Sequence, residues 1–324
     1  MSVRNVEGVI LVMGETGSGK SYFINKLIES GEVKESSGVD SCTSKCEMVL
    51  AELNDETSIA IVDTPGFDDS HREDDEILNE IATYLSWQYA SGVPLKGIIF
   101  LTPIVEVRWK GHSRRYFEMF KKLCGEEAFG NIVLVTTMWD RVREKDYGEA
   151  RNRFQEMRDK YWSEMEEMGA SIAEFNGEEP STAQGIIYEL YHKEQIVLRI
   201  QRDIHEQGLR LDETTAGRLI TPELDAEVQR IHDEQMEVQE RIYRAQQTED
   251  WDTEKLLWEE KQQKAKEKQT KVRRREKLGK KIKNSTDEKI AEVKRKFGWK
   301  DALGIFVSVA SITANIVIGL IQMQ

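Results

Sequence analysis

The run Gly14-Glu15-Thr16-Gly17-Ser18-Gly19-Lys20-Ser21 constrains this chain more than any other feature. It fits G-x-x-x-x-G-K-[ST] and stands between an apolar run, Val9-Ile10-Leu11-Val12, and a helical pattern from Tyr22 to Ile28. In that setting a glycine-rich turn lets backbone N–H groups converge on phosphate oxygens, and the start of the following helix adds its positive end. Lys20 can reach the β- and γ-phosphates, and the Ser21 hydroxyl can ligate Mg²⁺. Gly14, Glu15, Thr16, Gly17, Ser18, Gly19, Lys20, Ser21 and Tyr22 are therefore the expected phosphate-binding residues. A plain glycine-rich turn is the competing reading, and the strand–turn–helix setting argues against it.

The surrounding pattern says what scaffold carries this loop. Short apolar runs recur at residues 6–13, 48–53, 58–62, 96–101, 131–136 and, weakly, 171–175, and helical patterns lie at 77–89, 114–123 and 181–205. Such alternation predicts an α/β fold, a mostly parallel sheet with helices on both faces. We place this phosphate-binding α/β domain at residues 1–205. After Leu211 the spacing changes: Leu224, Val228, Ile231, Val238, Ile242 and Ala245 follow a 4-3 rhythm, interrupted by Gln235. That predicts a helical, partly coiled-coil extension over 206–300, packing on its own chain or pairing two subunits.

Two further motifs close strands in the first domain. Asp63-Thr64-Pro65-Gly66 ends the third apolar run. A carboxylate there can hold Mg²⁺ through water, and the Gly66 N–H can sense a γ-phosphate. Thr136-Thr137-Met138-Trp139-Asp140 ends the run before it. Asp140 can accept hydrogen bonds from guanine N1–H and the exocyclic amine, in the place of the aspartate of Asn-Lys-x-Asp, with Thr137 and Met138 replacing Asn and Lys. Its weight comes from order and from standing at a strand's carboxyl end, where open α/β sheets bind ligands. The altered Thr137 and Met138 keep ATP open as an alternative nucleotide.

Between the first two motifs lies Ser41-Cys42-Thr43-Ser44-Lys45-Cys46. This Ser-x-Thr-x-x-Cys pattern, the phosphate loop and Asp63-Thr64-Pro65-Gly66-Phe67 together resemble the septin-related P-loop GTPases, in particular their immunity-associated, avirulence-induced branch, which is similar to the chloroplast import receptors. The resemblance implies that Thr43 reaches Mg²⁺ and the γ-phosphate, and that Asn176, in Phe175-Asn176-Gly177, lies beside guanine. It also implies dimerisation across the nucleotide face and, in several members, a hydrophobic C-terminal anchor. From relatives, Arg108 is the expected arginine for a partner's site, with Arg114 second; a solvated loop arginine is the competing reading. Phe67 stands where many Ras-like GTPases carry a water-orienting glutamine, so slow hydrolysis is expected.

The expected activity is hydrolysis of GTP to GDP and phosphate, Mg²⁺ being held by Ser21, Thr43 and Asp63, with Lys20, Thr43, Gly66 and Arg108 acting on the transferred group. A nucleotide-dependent scaffold that binds GTP with negligible hydrolysis is the alternative. Composition limits other roles. With 46 Lys and Arg against 59 Asp and Glu, the net charge is −13, and a pI near 5.1 argues against general nucleic-acid binding. The stretch 255–300 nevertheless carries a net +11. It precedes residues 302–321, which hold no formal charge and are long enough as a helix to cross a bilayer. We expect residues 301–324 to form a hydrophobic helix, either a membrane anchor on a cytosolic face or a segment packed on the protein. Three cysteines and no apolar leader fit a reducing, cytoplasmic setting.

Overall fold

The computed structural model describes residues 5–27, 46–52, 57–66, 72–105, 111–177, 179–297 and 316–317. In chain order the elements are β1 (Asn5–Gly14), α1 (Lys20–Asn25), β2 (Glu47–Glu52), β3 (Thr57–Asp63), α2 (Asp74–Ser91), β4 (Leu95–Pro103), α3 (Gly111–Cys124) and β5 (Ile132–Thr137). There follow α4 (Tyr147–Met157), α5 (Ser163–Glu167), β6 (Ser171–Glu174), α6 (Pro180–Tyr191), α7 (Arg199–Gln201), α8 (Gly217–Gln247), α9 (Trp251–Leu278), α10 (Ile282–Phe297) and β7 (Ile316–Val317). The sheet order is β6-β5-β4-β1-β3-β2-β7, and every pairing is parallel except β2 with β3.

Alternation along β1 explains why its apolar run is continuous. Val9, Leu11 and Met13 face one layer with α2, α3 and Trp162, while Ile10 and Val12 face another with α1 and α6. A strand covered on both sides has no polar face to show in its sequence. Because β1 pairs with β3 on one side and β4 on the other, the chain reverses direction of winding there. The crevice at the carboxyl ends of these strands is where such sheets hold ligands.

One helical expectation changes in this domain, and one helical region is added. The helix expected over 181–205 stops at Tyr191. Ile196 then accepts a single antiparallel bridge to Leu95, donating its N–H to the Leu95 carbonyl at 2.9 Å, before α7 and a π-helical turn, Arg202–Glu206. The helix pattern at 147–167, in two α-helices around a second π turn, was not foreseen, because its apolar contacts, Ala150, Phe154 and Met157, are few and widely spaced.

The extension folds back on itself. Buried Val238, Ile242 and Ala245 of α8 meet Leu257 of α9, so the 4-3 stripe packs within one chain. The acidic face of α8 meets the basic face of α9 through Lys264–Glu234 at 2.5 Å, Lys271–Glu227 at 2.7 Å and Arg275–Asp225 at 2.6 Å. Leu211, Ala216, Ile220, Leu224, Leu278 and Ile282 belong to the same apolar cluster as the α2 and α3 side of the sheet. Arg274 reaches further, donating from Nε to Asp75 Oδ2 at 3.0 Å and from Nη2 to Asp75 Oδ1, while its Nη1 lies 3.0 Å from Glu73.

Helix α10 docks on α2 through Trp87, Ile290 and Val293, beside a polar knot. Ser86 Oγ lies 2.6 Å from His205 Nε2 and 3.1 Å from Thr286 Oγ1, Tyr89 stacks on the imidazole at 4.7 Å, and Lys283 donates to the His205 carbonyl. Burial holds the His205 imidazole below its ordinary value near 6.5, with Asp287 opposing and Lys283 adding to that. A base whose folded value is depressed takes up fewer protons folded than unfolded, so stability falls as pH drops below about 6.5. Urea midpoints measured from pH 7.5 to 5 should therefore decline over that window, and His205→Asn should flatten the decline; an unchanged slope in the variant would assign it to other groups.

The hydrophobic helix expected at 301–324 is corrected at the two residues described there. Ile316 and Val317 form a short strand, in register with Met48 and Val49 at the sheet edge. Edge N–H and C=O groups of β2 invite such pairing, and β-branched residues suit it. The rest of the 302–321 span lies outside the described residues, and among those described no helix is long and apolar enough to cross a membrane.

Candidate functional site

The phosphate loop joins β1 to α1 in a backbone path that only glycine takes without strain. Gly14, Gly17 and Gly19 have φ of 148°, 79° and 90°. A Cβ at Gly14 would lie 2.4 Å from the Leu101 carbonyl, whereas one at Gly17 would meet no described atom within 4 Å. Lys20 opens α1, is buried, and donates to the carbonyls of Gly14 at 3.2 Å and Glu15 at 2.9 Å. The hydroxyls of Thr16 and Ser18 are buried without a hydrogen-bond partner among the described residues. Burying a hydroxyl without a partner is costly, so a loop built this way fits a ligand rich in hydrogen-bond acceptors.

The Asp63–Gly66 segment lies against this loop. Val12 and Asp63 are register partners, and Thr64 gives both its N–H and its hydroxyl to the Val12 carbonyl, at 3.2 and 2.9 Å. The Ser21 hydroxyl donates to Asp63 Oδ2 at 2.7 Å, and Asp63 is fully buried. Gly66 sits so close that a Cβ there would stand 2.6 Å from the Thr16 nitrogen. Among the described residues no three His, Cys, Asp or Glu gather as a metal cage. One hydroxyl and one carboxylate suit Mg²⁺, which takes few protein ligands and completes its shell with phosphate and water. Beneath the loop, burial and next the charge of Glu15 push the Tyr116 hydroxyl well above its ordinary value. Burial, then Glu80 and Asp63, do the same to the Cys46 thiol.

The other two expected segments follow β5 and β6. Thr136 and Glu174 are register partners, and Phe175 N–H donates to the Thr136 carbonyl at 2.8 Å, so the loops bearing Asp140 and Asn176 leave the sheet side by side. Both Asp140 and Asn176 are exposed. Met138 adopts φ 63°, ψ 31°, a left-handed conformation that costs a non-glycine residue ~1–2 kcal/mol. Its neighbours hold it there: Trp139 is buried with its Nε1 donating to Thr136 Oγ1 at 2.9 Å, and Arg141 N–H donates to the Met138 carbonyl.

Two contacts were not foreseen. The Thr137 hydroxyl, at the place of the missing asparagine, donates to the Ser18 carbonyl at 2.8 Å and ties the end of β5 to the phosphate loop. The Tyr22 hydroxyl donates to the Gly177 carbonyl at 2.9 Å, and Phe23 packs edge-on to Phe175 at 5.1 Å, tying α1 to the loop after β6. The sequence shows hydroxyls at both positions but not their partners, which are 119 and 155 residues away. Thr43, Phe67 and Arg108 lie outside the described residues, and the second arginine candidate, Arg114, stands over the Tyr161 ring at 5.4 Å.

Comparison with known proteins follows the same segments. The AIG1 family matches residues 8–167. Over 77 residues the chain is 38% identical to immune-associated nucleotide-binding protein 10 of Arabidopsis thaliana, a match covering 24% of this chain and 17% of that protein. Over 128 residues it is 28% identical to GTP-binding protein A of Dictyostelium discoideum, covering 40% of this chain and 27% of that protein. The chain thus matches 17% of one relative's length and 27% of the other's. Among solved structures it is similar to Toc33 from Arabidopsis thaliana in complex with GDP and Mg²⁺, with 18% identity, a TM-score of 0.47, and coverage of 59% of this chain and 87% of that one. The glycine loop after β1 and the aspartate ending β3 both fall inside the matched span, and residues 8–167 of this chain form a domain of the AIG1 family.

Proposed function

We propose that this chain binds GTP with Mg²⁺ and hydrolyses it slowly to GDP and phosphate. One observation supports this reading above the others: buried Lys20 and the 2.7 Å pair of Ser21 hydroxyl and Asp63 carboxylate meet at the carboxyl ends of adjoining parallel strands. Lys20 and the amides of residues 14–22 would neutralise charge developing between the β- and γ-phosphates. Ser21, Thr43 and, through water, Asp63 would hold Mg²⁺, which supplies charge neutralisation on the phosphates when bound. The Gly66 N–H would report the γ-phosphate to the segment leading into α2. Asp140 would accept from guanine N1–H and the exocyclic amine, with Asn176 alongside.

Phe67 carries no group that can orient water, so turnover by a lone subunit is slow in this reading. Pairing of two copies across the nucleotide face, each lending Arg108, would raise it. Phe67 also favours the alternative of a scaffold that binds GTP and scarcely hydrolyses it.

Hydrolysis measured across protein concentrations separates the two. Specific activity rising with concentration, and lost in Arg108→Ala, supports the enzyme; a flat, near-zero rate supports the scaffold. For the base, Asp140→Asn should weaken GTP by about tenfold or more and strengthen xanthosine triphosphate, because an amide donates to the 2-oxo group that replaces the amine. Unchanged GTP affinity in that variant would remove Asp140 from base recognition.

A further inference from the structure

The two loops that would hold the base are joined by a side chain belonging to neither. Arg151, on α4, places its guanidinium over the Trp139 ring, 4.3 Å from the centroid. The same group donates from Nη1 to Glu174 Oε1 at 2.5 Å and from Nη2 to the Tyr147 hydroxyl at 2.6 Å, with the Tyr147 ring 5.1 Å away. Trp139 is the residue before Asp140, and Glu174 stands two residues before Asn176. We propose that Arg151 is a positioning residue for purine recognition, clamping Trp139 to Glu174 so that Asp140 and Asn176 face the base in one fixed relation.

Three features carry this beyond an ordinary surface ion pair. A guanidinium is planar, so it can stack on a ring with its face while its edge donates in fixed directions, which an ammonium cannot do. Trp139 is itself pinned at its far end by the bond to Thr136, and Ile104, Ala150 and Phe154 pack around it. Finally, Met138 is held in the left-handed conformation, so the loop needs an anchor immediately after it. Thr137 and Met138 stand where Asn-Lys-x-Asp carries its asparagine and lysine. Thr137 ties the loop to the phosphate side, and the Arg151 clamp ties it to the β6 side.

Arg151 and Glu174 are 42% and 35% exposed, the range in which an ion pair contributes little to global stability. Removing the clamp should therefore leave the fold intact and loosen only the geometry at Asp140. This inference rests on the guanine-binding reading, and the test separates the two. On the full chain with Mg²⁺, dissociation constants are measured for GTP, GDP, ATP and inorganic tripolyphosphate, with melting curves as a fold control. Arg151→Met should weaken GTP and GDP about tenfold, the effect of losing one charge-assisted hydrogen bond to the base. ATP and tripolyphosphate should stay within about twofold, and the Arg151→Met, Glu174→Gln double variant should bind GTP no worse than Arg151→Met alone.

Unchanged GTP affinity, equal losses for GTP and tripolyphosphate, or losses that multiply in the double variant would each overturn the clamp. Asp140→Asn, tested beside it with xanthosine triphosphate, reports on the base reading itself. If that variant gains no xanthine preference, guanine recognition fails whatever Arg151 does.

Discussion

Replacing Lys20 with methionine lowers affinity for GTP and GDP by more than about a hundredfold, while the melting temperature of the protein stays close to that of the parent. The size follows from the role: Lys20 is the buried cation of the phosphate loop, and a charge-assisted bond to phosphate in a site shielded from water outweighs ordinary hydrogen bonds. The small effect on folding follows because Lys20 donates to two loop carbonyls, Gly14 and Glu15, that lie next to the glycine turn rather than in the sheet core. Methionine keeps the length of the stem and removes only the charge. Calorimetric titration checks the prediction, and a loss smaller than tenfold would mean that the loop amides alone hold the ligand.

The second large effect lies at the start of α2. Arg274→Met should reduce unfolding free energy by ~3–5 kcal/mol, read from the denaturant midpoint. Asp75 is buried, and Arg274 grips both of its carboxylate oxygens; without the guanidinium, the carboxylate is left uncompensated in the interior. Lys271 can offset little of this, since it already meets Glu73 and Glu227, and the Glu73 carboxylate, which also loses Arg274, only adds like charge. The Asp75→Asn, Arg274→Met double variant should recover much of the loss, because the isolated charge, rather than the absent attraction, is the costly element. Losses that simply add would show that the pair acts through packing instead.

How much of this was legible beforehand depends on which physical signal each feature leaves. Strand β1, the glycine loop and Asp63 were readable because a doubly buried strand is a continuous apolar run and a phosphate loop demands glycine at fixed positions. The 4-3 stripe on α8 was readable too, but its partner was not: periodicity shows that Ile231 and Val238 are buried, and not whether α9 or another subunit covers them. Arg274 was seen only as part of a basic run, since nothing in a sequence marks which cation will meet a buried aspartate 199 residues away. Helix α6 was expected too long because residues 192–198 keep a tolerable helical composition while tertiary contact, the Ile196 bridge to Leu95, pulls them away. Thr137 shows a different gap: the sequence marks only that a threonine stands where asparagine is expected, and its hydroxyl bond to the Ser18 carbonyl appears only in the fold.

Everything functional rests on a triphosphate being wrapped by the loop between β1 and α1 while its purine is told apart at the ends of β5 and β6. Equilibrium titration of the full chain with GTP, GDP and ATP, with and without Mg²⁺, tests that most directly. The account predicts saturable binding of GTP and GDP, GTP strengthened by Mg²⁺, and ATP weaker than GTP by about tenfold or more. No binding of any of the three, or ATP bound as tightly as GTP, would contradict it.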